Sequence, residues 1–339
     1  MSDMKKMVTA VASSGTMTIG NYFGVIKQVI QYQNEYDLYL FIANLHAITM
    51  PQDKTKLKQN IKTMATLYFA CGLDPQKATI FVQSDVLEHA QLGWILNTQA
   101  TMGELERMTQ FKDKSQKVKA NNGTSYIPAG LFTYPTLMAA DILLYDANYV
   151  PVGVDQIQHV ELTRNLAERM NHTYGEDLFT IPEHLVPKKT PKIMDLQEPS
   201  KKMSKSNTNE KTFIRILDEP EVIKRKIGSA LTDSEDKVYF DAEKKPGISN
   251  LMTIYSAITN KDYDQIQKEF ENKNYKDFKD AVAEALISEL EPIQIKFKEL
   301  WNSPQVDEWL DEGANKARKI AYKKLMKVQN RMGLNYKRK

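Results

Sequence analysis

The sequence predicts an α/β chain, with a parallel sheet covered by helices followed by an all-helical region. Two patterns predict it. Through the first half, short apolar runs alternate with amphipathic stretches, and after about Asn207 helical spacing takes over. The runs Met7–Val11, Leu38–Ala43, Thr79–Gln83 and Tyr149–Val152 read as strands. Between them, stretches such as Leu57–Cys71, which stops before Gly72, read as helices. That alternation places ligands at the carboxyl ends of the strands. Further on, Pro220–Ala230, Ile248–Ile258, Tyr263–Glu271, Phe278–Leu300 and Val306–Met332 carry helical spacing.

A length of 339 residues suits one large domain or two, and 42% apolar residues supply a sizeable core. Basic and acidic side chains number 46 and 43, so no large single-signed field is implied. From Lys316 to Lys339, however, there are ten Lys or Arg and no acid, with Ala317, Ile320, Ala321, Leu325, Val328 and Met332 at helical spacing. The segment reads either as a docked helix with a solvated basic face or as a surface for RNA phosphates. Cys71 is the only cysteine, which excludes a disulfide framework and a cysteine-rich metal site. With no secretory apolar region and no run of about 18 apolar residues, the chain is expected in a reducing, cytoplasmic setting with no membrane partner.

The chemistry is carried by two segments about 180 residues apart. Val8 to Val11 runs into Ser13-Ser14-Gly15-Thr16-Met17-Thr18-Ile19-Gly20-Asn21, after which Tyr22, Phe23, Val25, Ile26, Val29 and Ile30 follow at helical spacing. A strand, a small-residue turn and a helix start supply backbone amides and a close approach for an anion. Lys202-Met203-Ser204-Lys205-Ser206 puts two ammonium groups and two hydroxyls on one turn. Alone, the first is an ordinary strand-to-helix turn and the second a solvated basic loop. Together they read as two walls of one ATP site.

These residues resemble the class I aminoacyl-tRNA synthetases, within them the tryptophanyl-tRNA synthetase family. Lys202–Ser206 matches the KMSKS signature letter for letter, and Thr18-Ile19-Gly20-Asn21 is similar to this subfamily's form of the HIGH signature. Longer matches run through Leu45-His46-Ala47-Ile48-Thr49, Gly103–Lys112, Tyr134–Leu143, Val150–Gly153 and Lys245–Leu251. The resemblance implies a Rossmann-like catalytic domain over residues 1–207 and a helical anticodon-binding domain over 208–339. It also implies a cytoplasmic homodimer acting on L-tryptophan, ATP with Mg2+, and tRNA(Trp).

The reaction so implied is attack of the tryptophan carboxylate on the ATP α-phosphate, then acyl transfer to a tRNA ribose hydroxyl. Positioning and charge stabilisation dominate both steps, and the protein needs no covalent nucleophile. By resemblance, Lys202 and Lys205 steady the departing pyrophosphate. Lys114, in the polar segment Phe111–Ser125, matches a lysine of a mobile loop that reaches the phosphates. ATP is expected on Ala12, Ser13, Ser14, Gly20, Asn21, Gly153, Val154, Asp155, the backbone near Ile193, and Lys202, Met203, Ser204, Lys205 and Ser206. No protein metal site is expected.

Asp141 is the expected reader of the amino acid. Tryptophan offers one polar handle, the indole N–H, and Asp141 lies among Met138, Ala139, Ala140, Ile142 and Leu143. A carboxylate there is costly unless its partner is present, so a substrate without that donor is rejected. On its own, Asp141 also reads as a local hydrogen-bonding or capping residue. Tyr134 and Gln156 match positions that hold the substrate ammonium group, and Met138, Val150, Val152 and His46 match the pocket wall. Alone, His46 reads as a satisfied core histidine.

The chain departs from the pattern at several positions. Most relatives read Gly-Ile-Gln-Pro-Ser-Gly where this chain has Ala10-Val11-Ala12-Ser13-Ser14-Gly15; Asn44 stands for a common Asp, and Val154 for an acidic residue. The expectation is an active enzyme with altered substrate or inhibitor binding. Two alternatives stay open: the sister enzyme for tyrosine, and a non-charging paralogue that binds tryptophan, nucleotide or tRNA in a regulatory role.

Overall fold

The structure is a computed structural model that describes residues 4–122, 127–186, 190–205 and 207–336, apart from the side chains of residues 114 and 117–122. Five parallel strands form one sheet: β1 Lys6–Ala12, β2 Asp37–Ala43, β3 Ala78–Val82, β4 Tyr149–Pro151 and β5 Glu183–Leu185, in the order β3-β2-β1-β4-β5. The four expected strands are present within a residue or so. β5 was not anticipated, because Glu-His-Leu carries no apolar run.

β1 lies at the centre, paired with β2 from Lys6↔Asp37 to Ala12↔Ala43 and with β4 at Met7↔Tyr149. The chain leaves β1 toward β2 on one side and reaches β4 on the other. The strand order therefore reverses at β1, and a crevice opens beyond its carboxyl end. Along β1 and β2 successive side chains serve opposite layers. Met7, Val11, Leu38, Leu40 and Ile42 join one hydrophobic cluster, whereas Val8, Tyr39 and Phe41 join the other. Both faces are covered, as the near-continuous apolar strands demand.

The helix after β1 starts at Ile19–Asn21, passes through a π-helical turn at Tyr22–Ile26 and continues as Lys27–Tyr32. Thr18 caps it through a capping box with Asn21. Asp53 caps Lys54–Ala70 by accepting from the Lys56 N–H at 2.8 Å. Beyond residue 207 the helices are Pro220–Gly228, Pro246–Thr259, Tyr263–Glu269, Tyr275–Trp301 and Gln305–Arg331. The first two start on proline, which loses no helical hydrogen bond there.

Packing does not divide at residue 207. One cluster holds Ile26, Leu40 and Leu67 together with Ile214, Leu251, Phe278 and Leu290. The last helix, Gln305–Arg331, returns to the sheet and buries Ala317, Ala321, Leu325 and Val328 with Leu92, Leu96 and Leu166. Much of its basic charge is used internally. Lys324 is buried, pairs with Asp146 at 2.6 Å and donates to the Leu178 carbonyl at 2.9 Å. Lys327 and Arg331 meet Asp177, and Arg318 donates to the Asp85 carbonyl. Lys316, Lys319 and Lys323 remain on the exposed face. Among the described residues, no helix is long and apolar enough to cross a membrane.

Gly313 makes this docking possible: a Cβ there would lie 1.8 Å from the Ile80 carbonyl oxygen of β3. Gly313→Ala should push the helix off the strand and cost about 2 kcal/mol or more. Urea unfolding reads it as a lower midpoint at constant slope, and an unchanged midpoint would show that this contact is not needed.

Candidate active site

A cavity of about 760 Å³ opens at the carboxyl ends of β1, β2 and β4. β1 and the turn after it contribute Ala10, Ala12, Ser13 and Ser14, and the segment after β2 contributes His46. The helix Ala129–Leu143 presents Tyr134, Met138 and Asp141, spaced so that all three line the same cavity. Val150, Val152, Gly153 and Gln156 close the β4 side. Eleven residues expected at the site thus meet around one volume. Gly15 turns the chain here with φ +65, and a Cβ on it would strike the Asn60 side-chain oxygen at 1.9 Å.

Asp141 is buried at the floor, 2% exposed, and it is not waiting for a single partner as the sequence suggested. Its Oδ1 accepts from Gln83 Nε2 at 2.7 Å and pairs with His89 Nδ1 at 2.6 Å. Its Oδ2 pairs with His46 Nε2 at 2.7 Å. Burial alone would raise the Asp141 pKa, but the charge of His46 and the hydrogen bonds of both histidines outweigh it and bring the carboxyl down to about 2. His46 is therefore both cavity wall and anchor. Gln83 and His89 were missed. Gln83 sits at the end of a strand run, and His89 begins a helix among Glu88 and Gln91, where nothing in the spacing separates a buried polar group from an exposed one.

Tyr134 faces His46 edge-on, with ring centroids 6.1 Å apart, and its hydroxyl lies 2.7 Å from His159 Nε2. Burial, helped by the charge of Asp155, pushes its phenol up to about 12. Asp155 accepts from Gln110 Nε2 at 2.9 Å and from Gln156 Nε2 at 3.0 Å, which orients the Gln156 amide at the cavity edge. Val154 is exposed and lies outside the cavity lining.

The two distant motifs do meet. Gly20 is buried, and a Cβ on it would sit 3.6 Å from Met203 Cβ and 3.8 Å from Ile193 Cβ. The Met203 N–H donates to the Ile193 carbonyl at 3.1 Å, and Met194 bridges to Lys202. Lys205 Nζ donates to the Thr16 carbonyl at 3.2 Å, inside the first turn, and burial lowers its pKa. Lys202 is exposed beside it. The Asn21 side chain is already engaged, accepting from the Thr18 N–H and hydroxyl at 3.2 and 3.0 Å. These groups flank the cavity rather than line it.

Ser206 and the Lys114 side chain lie outside the described residues. The backbone around Lys114 is helical, Thr109–Asn122, where a mobile loop was expected. Asn44 donates to Ser84 Oγ at 2.8 Å, which an ionised Asp could not do, and accepts from the Ser84 N–H at 3.1 Å. Among the described residues, no group of three His, Cys, Asp or Glu could hold a metal ion.

A family profile described as tRNA synthetases class I (W and Y) matches residues 3–291. The chain belongs to this family of class I tRNA synthetases. A tryptophan–tRNA ligase from Bacillus anthracis is 54% identical over 336 residues, covering 99% of this chain and all of that one. The solved tryptophanyl-tRNA synthetase of Mycoplasma pneumoniae superposes with a TM-score of 0.84 at 41% identity, covering 97% of this chain and 98% of that one. That of Campylobacter jejuni, complexed with ADP and tryptophan, also reaches 0.84, at 38% identity and covering 97% and 99%.

Because its pKa is depressed on folding, Asp141 stabilises the native state fully above about pH 4 and loses that contribution as pH falls through about 2, a loss of about 2 kcal/mol. Stability measured by urea between pH 5 and 2 should fall more steeply in the wild type than in Asp141→Asn, by most of one proton near about pH 3. Equal slopes would mean the carboxyl is not held down.

Proposed function

We propose that this chain is a tryptophan–tRNA ligase that activates L-tryptophan with ATP and transfers it to tRNA(Trp). The observation that carries the reading is a buried, ionised Asp141 at the floor of a largely apolar cavity whose rim is formed by the turn after β1. An indole fits an apolar wall with one acceptor at its end. A substrate without the N–H would leave that acceptor's remaining lone pair dry, which is how such sites discriminate.

Tyr134 and Gln156, on the side of the cavity toward Gly153, orient the substrate ammonium group so that its carboxylate points at the β1 turn. There Ala12, Ser13, Ser14, Gly20, Asn21 and the segment Gly153 to Asp155 hold the nucleotide, with the backbone near Ile193 behind it. The carboxylate oxygen then attacks the α-phosphorus in line and pyrophosphate leaves. Lys202, exposed, and Lys205, held at Thr16, meet the charge that develops on the leaving group, with Met203, Ser204, Ser206 and Lys114 as further residues assigned to the nucleotide. Mg2+ favours phosphate oxygens and water, so it would be held chiefly by the ATP phosphates and would offset the charge that develops on them.

Residues 1–207 carry this chemistry, and residues 208–339 bind the anticodon. Lys316, Lys319 and Lys323 share one exposed face of the last helix, which supports contact with tRNA phosphates. The exposed Leu87 and Trp94, 73% and 68% accessible at the start and on the face of the Glu88–Gln99 helix, support a homodimer. One cysteine and no membrane-length helix among the described residues support a cytoplasmic setting.

Amino-acid-dependent exchange of pyrophosphate into ATP, run with all twenty amino acids, tests the activity. Tryptophan alone should support exchange, and Lys205→Ala should lower kcat by roughly 10^2 with little change in the KM for tryptophan. Exchange only with tyrosine would identify the sister specificity, and no exchange would favour the non-charging role. Light scattering should give twice the 38.9 kDa chain mass, and a monomer mass would refute the dimer.

A further inference from the structure

Asp141 is held by a second layer of side chains behind the cavity, and that layer has an asymmetry. Oδ1 is bonded to both Gln83 and His89, at 2.7 and 2.6 Å. Oδ2 has one partner, His46, at 2.7 Å. A carboxylate oxygen offers two lone pairs in the plane of the group. Oδ1 is therefore saturated, and Oδ2 keeps one lone pair.

His89 is fully buried and uses both ring nitrogens, Nδ1 on Asp141 and Nε2 on the Tyr145 hydroxyl at 2.7 Å. Tyr145 is fully buried as well, stacked on Tyr39 with ring centroids 4.9 Å apart. Phe41 and Phe81 pack against the imidazole at centroid distances of 5.4 and 5.9 Å. One proton arrangement satisfies every atom of this chain: Tyr145 O–H donates to Nε2, and Nδ1–H donates to Oδ1. The reverse arrangement would leave the Tyr145 proton buried with no acceptor among the described residues.

We infer that His89, anchored by Tyr145, is a positioning residue for tryptophan selection, which by occupying Asp141 Oδ1 leaves a single lone pair on Oδ2 as the acceptor for the indole N–H. His89 lies outside the cavity lining and touches no substrate. It acts through Asp141, by fixing the rotation of the carboxylate. Without it the carboxylate is free to turn, and the free lone pair no longer has one direction. This inference rests on the tryptophan reading above.

The test is pyrophosphate exchange with tryptophan and with its benzothiophene analogue, in which sulfur replaces the indole N–H. Wild-type exchange is measured first; its absence with tryptophan would refute the proposed activity, independently of His89. Given activity, the wild type should prefer tryptophan by at least tenfold in kcat/KM. His89→Leu should raise the KM for tryptophan about tenfold and leave the analogue within threefold, so that the preference collapses. His89→Asn, which keeps a donor near the Nδ1 position, should restore most of the preference. Tyr145→Phe, which removes only the anchor, should reduce it about threefold, and it decides the matter if His89→Leu does not fold. A preference unchanged in Tyr145→Phe and, where it folds, in His89→Leu, or equal losses on both substrates in every variant, would overturn the inference.

Discussion

The interaction on which the rest depends is the one among Asp141, His46, Gln83 and His89. A lone carboxylate at this depth would cost several kcal/mol, more than a typical core contact returns. Its three partners come from different parts of the chain: His46 after β2, Gln83 at the end of β3, and His89 in the following helix. The carboxylate itself sits on the Ala129–Leu143 helix. The charge can be buried only if the strands and that helix are already in register. The contacts that hold Asp141 therefore also tie four elements together, and breaking any one partner leaves a buried charge with too few donors.

The sheet order places the second requirement. β1 is central, so its carboxyl end faces the crevice where the strand order reverses, and the turn after it borders the cavity. The other wall comes from a segment far along the chain, brought back by Met203 and Ile193 packing over Gly20 and by Ile19 N–H donating to the Ile214 carbonyl at 3.0 Å. Residues on both sides of position 207 share one hydrophobic cluster, so the Lys202–Lys205 loop is tethered to the sheet on one flank and to the helical region on the other. Packing thus couples the position of the loop to that of the helices beyond residue 207.

Much of this was legible in the sequence, for identifiable reasons. The parallel strands are apolar on both faces and flanked by turn residues, so their positions were clear to a residue or so. β5 was invisible, because a three-residue edge strand with Glu183 and His184 has no pattern to read. The long C-terminal helices showed through their spacing, and so did the basic tail. That Lys324, Lys327 and Arg331 are spent on Asp146 and Asp177 could not be read, since those carboxylates are some 150 or more residues away in sequence. Asp141 stood out as a charge in an apolar run, whereas His89 did not, because a histidine beside Glu88 on a helix looks like any surface pair. Neither did the capping box that engages the Asn21 side chain, although Thr18 and Asn21 carry the right spacing for it.

The departures in the first turn then acquire a physical meaning. Ala10 and Ala12 line the cavity, so the methyl at residue 10 narrows it where glycine would leave room, and the short side chain at residue 12 removes a polar group from the same wall. Ser13 stands where a proline is usual. Its hydroxyl is buried and has no hydrogen-bond partner among the described residues, a cost of about 1–3 kcal/mol for a group left dry. A proline would carry no such group and would hold its own φ fixed. The turn has therefore exchanged rigidity and one amide for an unsatisfied hydroxyl in the cavity wall after β1. Asp141, at the far end of the cavity, is held through both carboxylate oxygens by His46, Gln83 and His89. The Asp141 end of the cavity is thus tightly held while the turn after β1 carries an unspent polar group, so any change these substitutions bring should arise at the β1 wall and its turn rather than at Asp141.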